Sequence, residues 1–413
     1  MEIILLKGGR VIDPAYNFDQ IADVLIANGK VKSIGNLRRP KGAKEIDVFG
    51  KIVCPGLFDM HAHGRDFGQK HKETLASLSF AAIMGGFTFV VCMANTDPPI
   101  DSYERVNGAR SRFDDVNLID LHQAAAVTKG LAGQKISELD WYNKARAIAF
   151  SDDGKAIQNP QILVEAMKRC ANYGQPLLLH CEDYRFSPYD KRSEYLYIAF
   201  VLKINQELNL PAVHIQHVSC AESIQLIREA KANGVLVTAE TAPHYISLTE
   251  KDFRKIGVNA KMNPPLRSEK DRQAVILGLA DGTIDVIATD HAPHTPEEKA
   301  RGIEQAPFGI IGLETAIPVV LSTLSNRIPL MEIIRKMTIN PAKILGLKGK
   351  GTLRPGSAAD ITVIDPQMRK KVEADKFQSL SRNCPWNGKR RQGWPVMTIR
   401  SGRILMQDGE LTI

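Results

Sequence analysis

The stretch "PGLFDMHAHGR", residues 55–65, places two histidines at the end of an apolar run. Because side chains along a β-strand alternate between its two faces, a strand here would direct His61 and His63 to the same side. Two imidazoles that converge on one point suggest a metal ion, although so short a pattern also occurs as ordinary polar residues at a strand end. Taken alone, this stretch leaves both interpretations open.

The same order of an apolar run, a polar or turn residue and a helical stretch recurs from residue 56 onwards. The predicted strands are "LFDMHAH" (57–63), "TFVVCMANT" (88–96), "VNLIDLHQAAAVT" (116–128), "ARAIAFSDDG" (145–154), "QPLLLHCED" (175–183), "AVHIQHVS" (212–219), "VLVTAET" (235–241) and "TIDVIATDHAPH" (283–294). Continuous apolar runs alternating with helices are typical of parallel strands covered on both faces. Eight such units favour a (β/α)8 TIM-like barrel. The alternative, a doubly wound open sheet, lacks a glycine-rich phosphate loop after its first strand.

Both ends of the chain have a different pattern, with short strands and turns but no helical periodicity. Examples are "DVLIANGKVKSIG" near the start and "GTLRPGSAADITVIDP" and "VMTIRSGRILMQDGE" near the end. Since chain ends commonly lie close together, we predict a small β-sandwich domain built from both termini. The predicted boundaries are 1–55 and 347–413 for this composite β domain and 56–346 for the barrel.

The composition is that of a globular protein: 413 residues, 44% hydrophobic and 24% charged. The net charge of +8 comes from scattered lysines and arginines, which favours solubility or attraction of an acidic metabolite over nucleic-acid binding. Six cysteines without CxxC spacing favour a reduced cytosolic protein over a disulfide framework. We find neither a signal peptide nor a membrane-spanning run, and therefore expect a cytoplasmic location.

The polar residues that follow the predicted strands indicate chemistry, because active sites of (β/α)8 barrels lie at the C-terminal ends of the strands. These positions hold His61 and His63, Asn95, Asp152 and Asp153, His180, His217, and Asp290 with His291 and His294 beyond it. Imidazole and carboxylate ligands suit zinc first, and their number points to two ions that share a carboxylate. Asp290 could also carry a proton from the attacking water to the leaving nitrogen.

Other polar residues nearby have different interpretations. His214 lies three residues before His217, should face the opposite side of the strand and is expected in the core. For His244, in "TAPHY", support of the site and contact with substrate are equally compatible with the sequence. Arg65 is not a metal-ligand type and favours a forked pair with a carboxylate. Asn263 in "KMNPPLR" (261–267) and the loop "PFGIIG" (307–312) are candidate contacts for a cyclic substrate.

Several motifs together resemble one family. "PGLFDMHAHGRDFG", "MANTDPP", "AFSDDG", "LLLHCED", "HIQHVS", "KMNPPLR", "IATDHAPH" and "EQAPFGIIGLETA" occur in the order seen in dihydroorotases of the amidohydrolase superfamily. The resemblance, to the long bacterial-type class, covers essentially the whole chain. It implies a metal-dependent cyclic amidohydrolase that reversibly converts L-dihydroorotate to N-carbamoyl-L-aspartate in pyrimidine (UMP) biosynthesis.

The resemblance also implies roles for individual residues. His61, His63 and Asp290 would hold one metal ion and His180 and His217 the other, with Asp153 as the bridge or, alternatively, Asp152. Zn²⁺ is the implied cofactor, as one or two ions per subunit, with other divalent metals as alternatives. Asp290 would act as general base and then acid. The implied substrate contacts are Arg65, Asn95 and His294 for the carboxylate, Asn263 and the Phe308–Gly309 backbone for the ring, and also His63. Gly64 stands where the family commonly has a bulkier residue.

Two other functions share parts of this pattern. A hydantoinase or allantoinase would use the same barrel and metal plan, but usually with a lysine bridge and without an arginine for a ring carboxylate. A non-catalytic dihydroorotase-like scaffold for aspartate transcarbamoylase would have lost metal ligands, whereas all six expected ligand positions are filled here. As partners, the resemblance implies a second copy in a homodimer and aspartate transcarbamoylase.

Overall fold

A computed structural model describes residues 2–140, 146–210 and 213–413. Within these ranges the strands form a barrel sheet of eight strands and a separate sheet of nine. In chain order the strands are β1 (Ile4–Asp13), β2 (Phe18–Ala27), β3 (Lys30–Gly35), β4 (Lys44–Asp47), β5 (Ile52–Pro55), β6 (Leu57–Ala62), β7 (Phe87–Cys92), β8 (Asp120–Ala125), β9 (Ala149–Ser151), β10 (Leu177–Leu179), β11 (Val213–Ile215), β12 (Val237–Thr241), β13 (Val286–Ile287), β14 (Ile361–Lys371), β15 (Arg390–Arg400), β16 (Arg403–Gln407) and β17 (Glu410–Leu411). The α-helices are α1 (Leu75–Met84), α2 (Tyr103–Val116), α3 (Pro160–Tyr173), α4 (Arg192–Leu208), α5 (Ala221–Ala232), α6 (Pro243–Ser247), α7 (Glu250–Ile256), α8 (Glu269–Ala280), α9 (Pro296–Lys299), α10 (Gly302–Gln305), α11 (Ala316–Leu324), α12 (Leu330–Lys336) and α13 (Ile339–Ile344).

The barrel sheet follows chain order from β6 to β13, and its neighbouring strands are parallel. Its two ends are joined by an isolated parallel bridge between Ala62 and His291, and the His63 amide donates to the His291 carbonyl at 2.8 Å. Asp59 reinforces this junction by accepting hydrogen bonds from the Thr289 amide at 3.0 Å and from the Thr289 hydroxyl. The predicted (β/α)8 barrel is confirmed, with strands shorter than the apolar runs of the sequence.

The nine-stranded sheet is built from both ends of the chain. Strand β5 joins its halves, because it pairs parallel with β1 and antiparallel with β14. Both halves contribute side chains to one apolar core, in which Ile4, Val24, Ile361 and Ile399 are at most 1% exposed. Two sheet halves that enclose a common core agree with the predicted sandwich made from both termini.

The connection between β14 and β15 leaves the β domain and lies against the barrel. We call residues 378–386 the brace. The Leu380 amide donates to the Glu73 carboxylate at 3.1 Å, and the Trp386 indole Nε1 donates to the Ser247 hydroxyl at 3.2 Å. Glu73 precedes α1 and Ser247 ends α6, so the brace spans loops on different sides of the barrel. The predicted boundaries include this segment in the β domain, and its contact with the barrel was not predicted.

The cysteines and the helices bear on the predicted cellular location. All six cysteines are buried free thiols. Over the three described ranges, none of the helices combines the length and the apolar character that crossing a membrane requires. The cytoplasmic location stays a prediction.

Candidate active site

Four histidines from three barrel strands surround Asp153, which follows β9. His61 Nε2 lies 3.4 Å from Asp153 Oδ1, and His63 Nε2 lies 3.5 Å from Asp153 Oδ2. On the other side, His180 Nδ1 and His217 Nε2 lie 3.9 and 3.7 Å from Asp153 Oδ1. Asp153 therefore belongs to two groups of potential metal ligands, one with His61 and His63 and one with His180 and His217.

Asp290, beyond β13, completes the first of these groups. Its Oδ1 lies 3.1 Å from His63 Nε2 and 3.5 Å from His61 Nε2. Burial alone would raise the pKa of this carboxyl, but the charge of His61 and the hydrogen bond from His63 lower the pKa to about 2. Asp290 is therefore an ionised carboxylate that can bind a cation or accept a proton.

The donor set fits a divalent cation. His61 Nε2 is buried and has no hydrogen-bond partner in the described part of the chain. Burial alone would lower the pKa of His61, but the carboxylates of Asp153, Glu240 and Asp290 raise this pKa well above its ordinary value. A buried nitrogen without a hydrogen bond, 3.4 Å from Asp153 Oδ1 and 3.5 Å from Asp290 Oδ1, is a place where a metal cation can bind. Imidazole and carboxylate donors suit Zn²⁺ and neighbouring transition metals.

Asp152 faces away from this centre. Its Oδ1 accepts hydrogen bonds from the Val127 amide at 2.7 Å and the Thr128 amide at 3.0 Å, and its Oδ2 accepts one from the Thr128 hydroxyl. Burial raises the pKa of Asp152 to about 6. The two neighbouring aspartates therefore do different work: Asp152 fixes the loop after β8, while Asp153 faces the histidines. This geometry favours Asp153 as the bridging residue.

Glu240, in β12, supports the metal centre and was not identified from the sequence. It is 1% exposed, and its Oε1 lies 2.5 Å from His61 Nδ1 while its Oε2 lies 3.2 Å from His214 Nε2. The carboxylate favours a proton on His61 Nδ1, which leaves Nε2 as the free donor atom toward Asp153. His214 is buried, as expected, but packs behind the site rather than only in the core. The position of this acidic residue inside the predicted strand "VLVTAET" (235–241) could have indicated a role in the site.

Glu182 supports His180 in the same way. Its Oε2 lies 2.8 Å from His180 Nε2 and accepts a hydrogen bond from Asn263 Nδ2 at 3.0 Å. His180 Nδ1 is thereby turned toward the centre and lies 2.8 Å from His217 Nε2. Glu182 thus connects a candidate metal ligand with Asn263, the predicted ring contact. Its position two residues after His180 repeats the spacing of His61 and His63 and could have indicated this role.

Arg65 and His294 lie together beside the metal centre. Arg65 Nη2 is 3.3 Å from His294 Nε2, and Arg65 Nε donates to the Pro293 carbonyl at 3.2 Å. Arg65 is only 7% exposed, and burial lowers its pKa to about 10, so it stays charged at neutral pH. Burial and the charge of Arg65 lower the pKa of His294 to about 3, so this ring is neutral. In the described ranges no carboxylate forms an ion pair with Arg65, and because Nε and Nη2 contact Pro293 and His294, the Nη1 side of the guanidinium is available to an external anion.

Asn95 contacts residues of the metal centre. Its Oδ1 lies 2.8 Å from His63 Nδ1, and its Nδ2 donates to Asp153 Oδ2 at 3.3 Å. The Asn95 side chain therefore orients two candidate ligands, His63 through Oδ1 and Asp153 through Nδ2. Contact of Asn95 with a substrate carboxylate stays a prediction.

Steric hindrance explains why residue 64 is a glycine. A Cβ atom there would lie 2.8 Å from Cys92 Sγ, which is closer than carbon and sulfur can approach. Cys92 thus fills the space that a side chain at position 64 would need. The next residue, Arg65, has a φ of +54° that turns the chain into the site.

Two lysines hold the loop that contains Phe308 and Gly309. Lys261 Nζ donates to the Ala306 carbonyl at 2.6 Å, and Lys299 Nζ donates to the Gly309 carbonyl at 2.9 Å. The Gly309 amide in turn donates to the Lys261 carbonyl at 2.9 Å. These hydrogen bonds fix the loop backbone, and its contact with a substrate ring stays a prediction.

His244 is buried close to the metal centre. Neither of its ring nitrogens has a hydrogen-bond partner among residues that the structure describes. Burial lowers its pKa to about 4, so the ring is neutral at physiological pH. Support of the ligands and contact with substrate both stay predictions for His244.

Comparisons with known proteins agree with this architecture. The model of the amidohydrolase family matches residues 52–405. The dihydroorotase of Pelotomaculum thermopropionicum is 41% identical over 428 residues, covering 98% of this chain and 99% of the relative. The dihydroorotase of Syntrophus aciditrophicus is 40% identical over 431 residues, with 98% and 99% coverage. A solved L-hydantoinase (dihydropyrimidinase) from Arthrobacter aurescens has a TM-score of 0.91 at 26% identity, covering 100% of this chain and 98% of that chain.

The chain therefore belongs to the amidohydrolase family and, within it, to the dihydroorotase family. It is a metal-dependent hydrolase, and the groups around Asp153 are able to hold the metal.

Proposed function

We propose that the protein hydrolyses and reforms the cyclic amide of L-dihydroorotate, with N-carbamoyl-L-aspartate as the open form, in de novo pyrimidine biosynthesis. The observation that carries this proposal is the buried Arg65 guanidinium beside the candidate metal centre, where it forms no ion pair within the described ranges. L-dihydroorotate offers both groups that such a pocket can use: a ring amide for hydrolysis and a carboxylate for the arginine. The curated relatives support the same assignment.

The metal ligands are proposed as a set. His61, His63 and Asp290 would hold one ion, His180 and His217 a second, and Asp153 would bridge them. Zn²⁺ is the proposed metal, as one or two ions per subunit. Held by these residues, such ions would supply a water molecule of lowered pKa and a polarised amide carbonyl.

Asp290 moves the proton in this mechanism. Its carboxylate, with a pKa of about 2, is ionised and accepts a proton from the attacking water. The water oxygen bonds to the carbonyl carbon, the ring carbon–nitrogen bond breaks, and Asp290 returns the proton to the leaving nitrogen. Asn95 Oδ1, 2.8 Å from His63 Nδ1, favours the His63 proton on Nδ1 and leaves Nε2 as the donor atom that faces the metal position and Asp290.

The remaining residues bind and orient the substrate. Arg65 pairs with the substrate carboxylate through its planar fork, assisted by the neutral ring of His294 and by Asn95. Asn263 and the backbone of Phe308 and Gly309 orient the pyrimidine ring, and His63 faces it from the metal side.

The test is turnover by the purified, zinc-loaded protein, with L-dihydroorotate, hydantoin and allantoin as parallel substrates. Ring opening of L-dihydroorotate that depends on Arg65, with Arg65→Ala as the comparison, supports the proposal. Turnover of the uncharged rings alone would replace it by a hydantoinase-like function, which the structural likeness to the Arthrobacter enzyme favours as the second candidate. Absence of turnover in the metal-loaded protein, with or without aspartate transcarbamoylase, would favour the non-catalytic scaffold.

The assembly and the domain division are part of the same proposal. We propose a homodimer that associates with aspartate transcarbamoylase, in which each subunit has a barrel of residues 56–346 and a β domain of residues 1–55 and 347–413. Light scattering of the protein alone and with added aspartate transcarbamoylase tests the assembly.

A further inference from the structure

One side chain of the brace contacts two separate segments at the mouth of the barrel, residues 292–294 and residues 309–311. Asn383 is 2% exposed, and its Nδ2 donates to the Ala292 carbonyl and to the Gly309 carbonyl, each at 3.0 Å. Its Oδ1 accepts a hydrogen bond from the His294 amide at 3.3 Å. Its own carbonyl accepts one from the Ile311 amide at 3.1 Å. The Asn383 Nδ2 therefore joins the two segments, while Oδ1 bonds to the segment of His294 and the main-chain carbonyl to the segment of Gly309.

The two segments carry proposed substrate contacts and fit closely together. His294 lies on the first and Gly309 on the second. A Cβ atom on Gly309 would lie 2.8 Å from the Ala292 carbonyl oxygen and 3.0 Å from His294 Cδ2. A small displacement of either segment therefore changes the distance between the His294 ring and the loop that faces the substrate.

The brace is itself fixed to the barrel on both sides of Asn383. Upstream, the Gln378 amide donates to the Glu314 carboxylate at 3.0 Å and the Ser381 hydroxyl donates to the Lys72 carbonyl at 2.9 Å. Downstream, Trp386 Nε1 donates to the Ser247 hydroxyl. The backbone on both sides of Asn383 is therefore fixed to the barrel. The Asn383 side chain can in turn fix the positions of the two segments that it contacts.

We propose that Asn383 is a positioning residue for substrate binding, through which the brace sets the relative placement of His294 and the Phe308–Gly309 loop. This inference rests on the proposed function, since it assumes that these groups contact substrate. Asn383 acts on their backbone and not on the substrate itself.

The matched control is a second buried asparagine. Asn205 in α4 is fully buried, and its Nδ2 donates to the Leu236 carbonyl at 2.8 Å. Leu236 precedes β12, so this contact lies at the opposite end of the barrel from the candidate active site. Asn205→Ala removes a comparable buried amide without touching the mouth.

The experiment compares Asn383→Ala, Asn383→Asp and Asn205→Ala with the full-length wild type in steady-state kinetics. Asn383→Ala loses three side-chain hydrogen bonds that position both substrate contacts, which should raise KM about tenfold and leave kcat within about twofold. Asn383→Asp keeps the acceptor for His294 but places an oxygen opposite two carbonyls, so its KM should rise at least as much. Asn205→Ala should keep the wild-type KM.

Amide hydrogen exchange provides a second measurement that does not depend on turnover. The His294 amide should exchange faster in Asn383→Ala, which removes its acceptor, than in Asn383→Asp, which keeps it, and at the wild-type rate in Asn205→Ala. An unchanged KM in either folded Asn383 variant, or equal KM increases in Asn383→Ala and Asn205→Ala, would overturn the proposal. If the wild type hydrolyses another cyclic amide instead of L-dihydroorotate, the proposed function fails, and the same comparison on that amide still decides the role of Asn383.

Discussion

Replacing Glu240 by glutamine should weaken metal binding while preserving the fold. The carboxylate pairs with His61 Nδ1 at 2.5 Å and with His214 Nε2 at 3.2 Å. A glutamine of the same shape has one oxygen and one amide donor, so it can accept a hydrogen bond from only one of these rings. If the amide faces His61, the His61 proton moves to Nε2, the atom that faces Asp153 and Asp290.

The size of the effect follows from what Glu240 does for His61. Loss of a group that orients a metal-ligating histidine weakens metal affinity about 10- to 100-fold, which is about 1.4 to 2.7 kcal/mol. Despite the opposing effect of burial, the charge of His61 and the hydrogen bond from His214 lower the pKa of Glu240 to about 2, so it is ionised at neutral pH. Because glutamine removes this negative charge as well as the acceptor, we expect the upper end of the range, about 100-fold.

Zn²⁺ affinity is measured by competition with a chromophoric chelator, and circular dichroism establishes that each variant is folded. Asp152→Asn is the control, because Asp152 is also a buried carboxylate close to the centre but bonds to the loop at Thr128. Its affinity for Zn²⁺ should stay close to that of the wild type. A folded Glu240→Gln protein that binds Zn²⁺ within about twofold of the wild type would refute the orienting role of Glu240.

Three further predictions concern the proton, the substrate carboxylate and pH. Asp290→Asn should keep its fold and lose at least about 100-fold in kcat, because an amide cannot take up the proton; near-normal turnover would remove Asp290 from this role. Arg65→Lys should raise KM for L-dihydroorotate in steady-state kinetics, because a single ammonium cannot replace the fork; an unchanged KM would count against the carboxylate contact. Burial raises the pKa of Glu314 to about 8 from 4.5, so the unfolded chain releases this proton first and stability falls as pH rises through that window. Glu314→Gln should therefore raise the unfolding free energy by less than about 1 kcal/mol near pH 4.5 and by about 4 kcal/mol near pH 8, measured by denaturant titration; a difference that does not vary with pH would contradict this origin.

The candidate ligands could be predicted from the sequence because of how a barrel is built. His61, His180, His217 and Asp290 each follow an apolar run, and parallel strands bring their C-terminal ends to one face. The choice between adjacent aspartates could not be made in this way, since strand alternation does not fix which of two residues at a strand end turns inward. That choice depends on partners from another loop, and Asp152 finds them at Val127 and Thr128.

The supporting residues were harder to predict because their partners are distant in the sequence. Asn383 is separated by 74 residues from Gly309 and by 91 from Ala292. The segment that contains it has neither helical periodicity nor strand alternation, and it lies between two strands of the β domain. Periodicity identifies the elements of a fold, but it does not show which connection crosses from one domain to the other.

The junction between β6 and β13 has a consequence for how the chain folds. Asp59 and Thr289, which join there, are 230 residues apart, so this contact closes the longest loop of the barrel and should form late. His61 and His63 lie on one side of this junction and Asp290 on the other. A nascent or truncated chain that lacks residue 290 therefore lacks one of the six candidate ligands and leaves His61 and His63 at an open edge of the sheet. Metal binding at full affinity would then indicate that the barrel has closed.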